Sequence, residues 1–515
     1  MIENLNSPHL LSWIVLAPLL GVLAILFTPK EKHDVVKTLA AAFTGIPLIL
    51  SIWMYIQFKQ GLAGYQFYFD VPWVKQFNIH YTVGVDGLSA PLVFLTSLLL
   101  FFGVFSSWNV EKGVKGYFML LLLLEVGING VFVTLDFFTF YVYWELMLLP
   151  MYFLIGIWGG PRREYAAIKF FLYTLAGSVL MLVAMIAMYL NSSDNPADRT
   201  FSLIELARIG QKGLWVHTDW SMLGMSFNHW VFLFLFIGFA IKVPVFPFHT
   251  WLPDAHVEAP TAISVILAGI LLKLGGYGLM RVNMNCLPSV LWDGHATTSW
   301  ATGLAVLGMI NCVYGAFVAM AQTDFKKLVA YSSVAHMGFV LLGMAALNQD
   351  GLVGANLQLF NHGTSSAMLF LLVGVIYDRA HHREIGKFGG LAAHMPNYAS
   401  LAFLGIFTSL GLPGLAGFWG EVLSLIGCYQ RFPVITLIST VGLIVTAAFF
   451  LMTIRKVFFG PAQEKYKAFP DVTLREWVCL APFGILCILL GVAPMLLTNW
   501  MKPSLDLLLK AFSNS

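Results

Sequence analysis

Charged residues are scarce in this 515-residue chain: they make up 11% of it, against about 25% in soluble domains. Hydrophobic residues make up 58%, and the mean hydropathy is +0.79. The N-terminal segment MIENLNSPHLLSW has neither the basic region nor the small-residue cleavage site of a signal peptide. The composition excludes a soluble protein, so we predict an integral membrane protein whose first apolar run is retained.

Signatures of metal, redox and nucleotide chemistry are also missing. The glycine-rich stretches GGYGL and GLPGLAG have no phosphate-binding lysine and no preceding strand. The net charge is only +3, without a basic run suited to nucleic acid. The cysteines form no CxxC pair, and we predict that they are buried free thiols. We therefore expect no cofactor, no metal and no nucleic acid to be bound by this chain. The five cysteines are Cys286, Cys312, Cys428, Cys479 and Cys487.

Long apolar runs dominate what remains. About fourteen runs have the roughly 20 residues that a membrane-spanning helix needs, which predicts an all-α integral membrane fold. Between the second and third runs, residues 60–85 alternate apolar and polar residues and predict a small β-hairpin on the membrane surface. Odd-numbered links between the runs hold 18 lysines and arginines, whereas even-numbered links and termini hold nine. The positive-inside rule then places the odd links in the cytoplasm and both termini on the opposite side.

Two lysines depart from this pattern because each follows a long apolar run. Lys242 follows VFLFLFIGFAI, and Lys273 follows AISVILAGILL. A lysine at the centre of a membrane helix costs about 2.5–3.5 kcal/mol on insertion scales, so such residues usually have a function. The pair therefore suggests a path for charge through the membrane.

Two apolar segments are interrupted in a similar way. The seventh contains Pro244 and Pro247 just after Lys242, and the twelfth contains Pro413 among several glycines. Proline removes a backbone donor and clashes with the preceding turn, so both helices should unwind partway. Interrupted helices in matching positions of two halves indicate a transport site in inverted-repeat carriers. Their separation by five helices predicts two five-helix units.

Lys242 can act as a switch or as half of a static ion pair. Burial disfavours a charged ammonium, whereas a nearby carboxylate favours it. Glu145, in FYVYWELMLLPMYF, is the predicted partner. A buried ion pair stabilises a fold poorly compared with apolar packing, which favours the switch. For Lys273, the alternative to a central relay is a side chain that extends to the membrane surface.

Further ionisable residues lie in apolar surroundings. Glu421 closes the broken twelfth segment, and its alternative placement is near the membrane surface. His336 and His362 are each more often structural when they occur alone, but together with two lysines they favour a proton relay. Glu125, in LLLLLEVGING, is either functional or paired structurally.

The segment WLPDAHVEAP could suggest a metal site. Asp254, His256 and Glu258 alternate along it, but zinc requires a fourth ligand that the sequence does not provide. We therefore predict a capped, solvated turn rather than a metal centre.

Five motifs in this order resemble the antiporter-like subunits of respiratory complex I and related multisubunit sodium/proton antiporters. The motifs are WELMLLPMYFLIGIWG, KVPVFPFHTWLPDAHVEAPT, LAGILLKLGGYGL, AQTDFKKLVAYSSVAHMGFV and GLPGLAGFWGE. Glu421 stands where sibling subunits carry lysine. This residue and the chain length near 500 together favour one subunit type within the family. The resemblance implies about 14 transmembrane helices in a single domain over residues 1–515, with inverted five-helix repeats at about 117–281 and 299–458.

The resemblance also implies the role of each site residue. Glu145 and Lys242 would form the coupling ion pair, and Lys273 would be the central proton carrier. Glu421 would be the terminal group, and His336 and His362 would lie on the connecting hydrated path.

The implied function is proton translocation by a membrane-arm subunit of NADH-quinone oxidoreductase. NADH, FMN, iron–sulfur clusters and quinone would then bind partner subunits, and the chain itself would have no redox centre. Its partners would be other membrane-arm subunits, including sibling antiporter-like subunits, together with lipid and protons. The implied location is the bacterial inner membrane. A sodium/proton antiporter or membrane-bound hydrogenase of the same fold is the alternative, and a non-conducting scaffold is a third possibility.

Overall fold

The structure is a computed structural model that describes residues 2–3, 7–215, 221–292 and 300–513. Helices dominate it, in agreement with the predicted fold class. The helices of the first half are α1 Leu10–Phe27, α2 His33–Gln57, α3 Ala90–Ser106, α4 Val114–Val133, α5 Phe137–Leu146, α6 Leu148–Trp158, α7 Arg163–Leu190, α8 Leu203–Gln211, α9 Phe227–Lys242, α10 Trp251–Glu258, α11 Thr261–Ile266, α12 Leu272–Gly278 and α13 Pro288–Leu291. Those of the second half are α14 Trp300–Met320, α15 Phe325–Ala345, α16 Gln349–Ala380, α17 Leu391–His394, α18 Pro396–Ser409, α19 Ala416–Arg431, α20 Pro433–Val457, α21 Leu474–Val492 and α22 Met495–Ser513.

Within the described residues, 11 helical segments are long and apolar enough to cross a membrane. One of them, Thr261–Met284, joins α11 and α12 through π-helical turns and is buried throughout. The shorter apolar helices α3 and α9 do not reach the length of a complete span. The count of fourteen and the inverted repeats stay predictions, and residue 299, where the second repeat was expected to begin, lies outside the described residues.

Both predicted helix breaks are present. In the first, α9 ends at Lys242 and α10 begins at Trp251, with Pro244 and Pro247 between them. In the second, residues 410–415 separate α18 from α19. Gly411 and Gly414 have φ angles of +77° and +90°, a backbone conformation that glycine adopts without steric cost.

The links between helices gather at two ends of the bundle. At the basic end, Arg475 bonds to Asn109, and Glu258 accepts from the backbone of Arg162. At the other end, the predicted hairpin forms from β2 (Tyr65–Val74) and β3 (Ile79–Val85), which pair antiparallel. A two-residue strand, β1 (Ile2–Glu3), pairs with β2 in parallel, and β4 (Ser221–Met222) pairs with β5 (Met225–Ser226). We call these the basic end and the hairpin end.

Three further lysines and arginines are buried besides the two lysines that the sequence singled out: Lys37, Arg281 and Lys326. Arg281 follows the apolar run that contains Lys273, but the helix continues to Met284 and Arg281 is 4% exposed. Lys326 is also 4% exposed, and its ammonium donates to the Ala259 carbonyl at 2.5 Å. The burial of Arg281 and Lys326 was not predicted because each lies near the end of an apolar run, where basic residues normally reach solvent.

Candidate functional site: a buried chain of ionisable side chains

Lys273 lies at the centre of the bundle, on a helix with irregular turns. A π-helical segment, Leu267–Leu271, precedes it and another, Leu279–Met284, follows it. Such π-turns occur frequently at functional sites. The Lys273 side chain is 0% exposed, and its ammonium donates to the carbonyl of Ala268. The alternative that Lys273 extends to the membrane surface is therefore wrong.

His362 is the partner of Lys273 that the sequence could not identify. Its Nδ1 lies 2.7 Å from the Lys273 Nζ, although 89 residues separate them in the chain. His362 comes from the middle of α16, whose described central part is buried along its whole length. The ring of His336, on α15, lies 5.4 Å from the His362 ring, centre to centre.

Glu421 completes the chain of groups on the far side of His336. Its Oε1 lies 2.8 Å from the His336 Nδ1, and both side chains are almost fully buried. Glu421 is therefore enclosed within the bundle rather than exposed on its outside. Its second oxygen and the His336 Nε2 have no hydrogen-bond partner within the described residues. Buried polar atoms normally have partners, so these two positions can accept water or a proton donor.

Lys242 has a different environment from Lys273. It is 1% exposed, and its ammonium has no hydrogen-bond partner in the described part of the chain. It lies over the rings of Trp144 and Phe170, with 5.5 Å and 5.3 Å to the ring centres. Cation–π contacts of this kind stabilise a charged ammonium when it is removed from water.

Glu145 lies near Lys242 but does not bond to it. It follows Trp144, whose ring centre lies 5.5 Å from the Lys242 Nζ. No ion pair with an N–O distance of 4 Å or less joins the two in the described residues, and the buried Glu145 Oε1 has no partner there. The structure therefore brings the two predicted partners together without the static ion pair that was the alternative.

The two lysine-bearing helices touch closely beside this site. A Cβ atom on Gly275, two residues after Lys273, would lie 2.6 Å from the Phe239 carbonyl and 2.8 Å from the Val243 nitrogen. Glycine thus allows the backbones on either side of Lys242 and Lys273 to approach. Still, no hydrogen bond connects Lys242 to Lys273 within the described ranges, because Lys242 Nζ makes none.

Two asparagines from neighbouring helices support the breaks. Asn311, on α14, accepts from the Phe246 backbone at 2.8 Å and donates to the Pro244 carbonyl at 3.1 Å. Asn361, on α16, donates to the Ala416 carbonyl at 2.6 Å, where α19 begins. Backbone groups freed by a break in a membrane helix need such partners. Neither asparagine was predicted from the sequence, although a polar residue in an apolar helix was a usable signal.

The DAHVE segment is a helix, so the predicted solvated turn is wrong. Asp254 pairs with Lys169 at 2.7 Å, whereas Glu258 lies beside Arg162. His256 is 0% exposed and stacks on Phe370, with 4.5 Å between ring centres. The helix packs against α7 and α15. The three residues that had been considered as metal ligands contact different partners. The described residues contain no group of three or more that could hold a metal ion.

Glu125 is buried on α4 without a partner. Neither carboxylate oxygen makes a hydrogen bond within the described residues, and Asn129, one turn later, is also without one. The alternative that Glu125 is structurally paired is therefore wrong. All five cysteines are buried free thiols, as the sequence predicts.

Comparison with known proteins agrees with this architecture. A family model described as NADH:quinone oxidoreductase/Mrp antiporter, TM matches residues 134–448. NADH-quinone oxidoreductase subunit M of Rhodobacter capsulatus is 42% identical over 508 residues, which cover 96% of this chain and 95% of that protein. A chain of respiratory complex I from Thermus thermophilus superposes with a TM-score of 0.85 at 30% identity, covering 98% of this chain and 99% of the other.

A more distant structure shares the fold alone. A chain of an archaeal membrane-bound sulfane sulfur reductase superposes with a TM-score of 0.81 at 23% identity, covering 94% of this chain and 76% of that one. The chain therefore belongs to the family of transmembrane subunits that NADH:quinone oxidoreductase shares with Mrp antiporters. Within this family it is similar to subunit M of NADH-quinone oxidoreductase, which confirms the subunit type that Glu421 and the chain length favoured.

Proposed function

We propose that this chain translocates protons as a membrane-arm subunit of NADH:quinone oxidoreductase. The observation that carries the proposal is the buried series Lys273, His362, His336 and Glu421. Its two bonded contacts measure 2.7 Å and 2.8 Å, and the histidine rings between them are 5.4 Å apart. Lysine, histidine and glutamate are residues that form proton relays inside membranes.

Histidine suits the middle of this series because each ring nitrogen can bind a proton. A proton received at one nitrogen can leave from the other after the neighbouring group has moved or a water has entered. His362 faces Lys273 through Nδ1, and His336 faces Glu421 through Nδ1. The unpartnered His336 Nε2 is therefore available to receive a proton from the direction of His362.

Lys242 and Glu145 act as the control of this relay. In the structure the two are apart, and the aromatic rings of Trp144 and Phe170 hold the ammonium. A carboxylate that approached to about 4 Å would stabilise the ammonium by about 4 kcal/mol at an effective dielectric constant of 20. That energy changes the proton affinity about a thousandfold. Movement of Glu145 toward or away from Lys242 can therefore load and release its proton.

Coupling to NADH oxidation occurs through partner subunits. Redox energy released there reaches this chain as a change in charge or hydration at Glu145, and the proton leaves Lys242 toward Lys273. Transfer between the lysines uses water, because no side chain in the described residues bridges them. We propose that the basic end lies on the cytoplasmic side of a bacterial inner membrane, because the odd-numbered links hold 18 basic residues and the even-numbered links and termini hold nine.

The test uses the assembled complex in membrane vesicles. Lys242→Ala and Glu145→Ala should each strongly reduce NADH-driven proton pumping while the complex still assembles. Normal pumping in both variants rules out this mechanism. Co-purification with NADH-oxidising, iron–sulfur subunits separates this function from that of an antiporter of the same fold.

A further inference from the structure

The helix that carries Lys273 has a cavity at each end. At the basic end, two cavities of about 200 Å³ and 230 Å³ are both lined by Thr261, the first residue of the helix. At the hairpin end, a cavity of about 40 Å³ is lined by Asp86 and Arg281, and a larger one of about 300 Å³ shares Tyr65 with it. A water molecule needs about 10–15 Å³ of such space. Water can therefore approach this helix from both ends, and a proton pump must keep the two approaches apart.

Arg281 occupies the position between Lys273 and the hairpin-end cavity. Its Nη2 lies 2.6 Å from the Asp86 Oδ1, and the two side chains are 5% and 7% exposed. Its Nη1 donates to the Tyr65 hydroxyl at 3.0 Å, and its Nε donates to the Tyr277 hydroxyl at 3.1 Å. Tyr277 is four residues from both Arg281 and Lys273, so the three lie along one side of the helix. By helical rise, Arg281 is about 12 Å beyond Lys273.

The chemistry of this cluster suits a barrier. A guanidinium does not release its proton in proteins, so Arg281 cannot relay one. Burial raises the pKa of Tyr65 to about 12, so its hydroxyl stays neutral. A buried ion pair contributes little to stability compared with apolar packing, which favours a functional reason for placing one here.

We propose that Arg281 and Asp86 form a seal that prevents protons at the hairpin end from exchanging with Lys273. The seal rests on the proposed function, because it has a purpose only where Lys273 carries protons. It leaves the connection from Lys273 through His362 and His336 to Glu421 as the one route that the pump uses.

The C-terminal helix holds the seal in place. Asp86 accepts from the backbone of Leu88 and Ser89 at the start of α3. The next residue, Gly87, donates to the Ser504 hydroxyl of α22 at 2.9 Å. A Cβ atom on Gly87 would lie 1.9 Å from the Trp500 carbonyl, so only glycine fits against α22 here. The hairpin, α3 and α22 therefore meet at the carboxylate that holds Arg281.

The experiment measures passive proton leak in the intact complex. The double variant Arg281→Gln/Asp86→Asn removes both charges while it keeps similar volumes and hydrogen-bonding groups. In proteoliposomes without NADH, an imposed proton gradient should decay about tenfold faster than with the unmodified complex, equivalent to about 1.4 kcal/mol of lost barrier. NADH:quinone turnover should continue, and adding Lys273→Met should restore a slow decay because the leak passes through Lys273.

The matched control is another ion pair of the same chemistry at the basic end. Arg379 and Glu476 lie 2.8 Å apart and are 8% and 12% exposed. Neutralising them with Arg379→Gln/Glu476→Gln should leave the decay of the proton gradient unchanged. If such pairs had a purely structural role, both double variants would change the decay to the same extent. Unchanged decay in the assembled Arg281→Gln/Asp86→Asn variant overturns the seal.

A second variant keeps the proposal testable if that double does not assemble. Tyr65→Phe/Tyr277→Phe removes two partners of Arg281 but leaves both charges in place. The gradient should then decay faster than with the unmodified complex, and an unchanged decay overturns the seal here too. A different result would overturn the proposed function: normal NADH-driven pumping by the Lys273→Met complex, whatever the rate of passive gradient decay.

Discussion

The two buried lysines occupy opposite kinds of site in one bundle. Lys273 is bonded to His362 and to a backbone carbonyl, and it begins a series of contacts that ends at Glu421. Lys242 has no hydrogen bond in the described residues and lies between two aromatic rings, with Glu145 nearby. A bonded lysine can exchange a proton with its neighbour, whereas an isolated one responds to the approach of a charge. The difference suggests that Lys273 transmits protons and that Lys242 controls when they move.

The first prediction concerns a substitution at the bonded lysine, Lys273. Lys273→Met removes the group that begins the series, so NADH-driven proton uptake into vesicles should fall at least about tenfold, because a positioned proton-transfer group typically contributes about 10²–10⁴-fold. Lys75→Ala, at an exposed residue in the link between β2 and β3, is the control and should pump normally. Full pumping by an assembled Lys273→Met complex would instead favour a scaffold that conducts no protons.

The second prediction concerns a substitution at the isolated lysine, Lys242. Lys242→Arg keeps a positive charge but cannot release its proton, so pumping should fall about tenfold, as in Lys242→Ala. NADH:quinone turnover and proton uptake are measured on the same vesicles, and native gel electrophoresis reports assembly. If Lys242→Arg pumps at the normal rate, the residue supplies a fixed charge rather than a switch.

The third prediction concerns the far end of the bonded series. Glu421→Gln keeps a hydrogen-bonding group beside His336 but cannot ionise, so proton uptake should fall about fivefold, less than for Lys273→Met because water can partly replace a terminal group. Glu464→Gln, at an 88% exposed carboxylate, should have no effect. Equal pumping by these two variants contradicts a terminal role for Glu421.

The fourth prediction compares the two helix breaks. Asn311 makes two hydrogen bonds to the first break, whereas Asn361 makes one to the second. Asn311→Leu should therefore lower the free energy of unfolding by about 1–3 kcal/mol, and more than Asn361→Leu, because it leaves more backbone groups without partners. Thermal unfolding of the purified complex measures the loss of stability in both variants. A larger loss for Asn361→Leu than for Asn311→Leu contradicts the support assigned to Asn311.

The fifth and smallest prediction concerns the start of the Glu145 helix. Asp136 precedes α5 and accepts from the Thr139 backbone at 3.0 Å. Burial raises the pKa of Asp136 from 3.8 to about 6. The folded state therefore binds the proton more tightly than the unfolded state, and stability at this turn should fall as the pH rises from about 4 to 6.

Hydrogen exchange of the first α5 amides, corrected for the intrinsic rate, measures this effect. Asp136→Asn keeps a capping side chain without the charge, so its protection should be independent of pH over the same interval. Equal pH dependence in both proteins would mean that another group titrates at this turn.

Several features of the molecule were predictable because they depend on local chemistry. Pro244 and Pro247 lack backbone donors wherever they are placed, so the break after Lys242 follows from the sequence. The alternating pattern near Tyr65 likewise predicted the hairpin. His256 was misjudged because residues such as Asp254 and Glu258 usually indicate a solvated turn, and only the packing of α10 into the bundle buried the histidine.

The sequence by itself determined that this is a membrane protein, that two of its helices are broken, and that Lys242, Lys273 and Glu421 lie in apolar surroundings. Hydropathy and proline content are properties of short segments, and they survive in any packing. The tertiary structure alone decided that Lys273 bonds to His362 across 89 residues, that Glu145 stops short of Lys242, and that Arg281 is buried against Asp86. Those contacts depend on which helix faces meet, and no short segment specifies that.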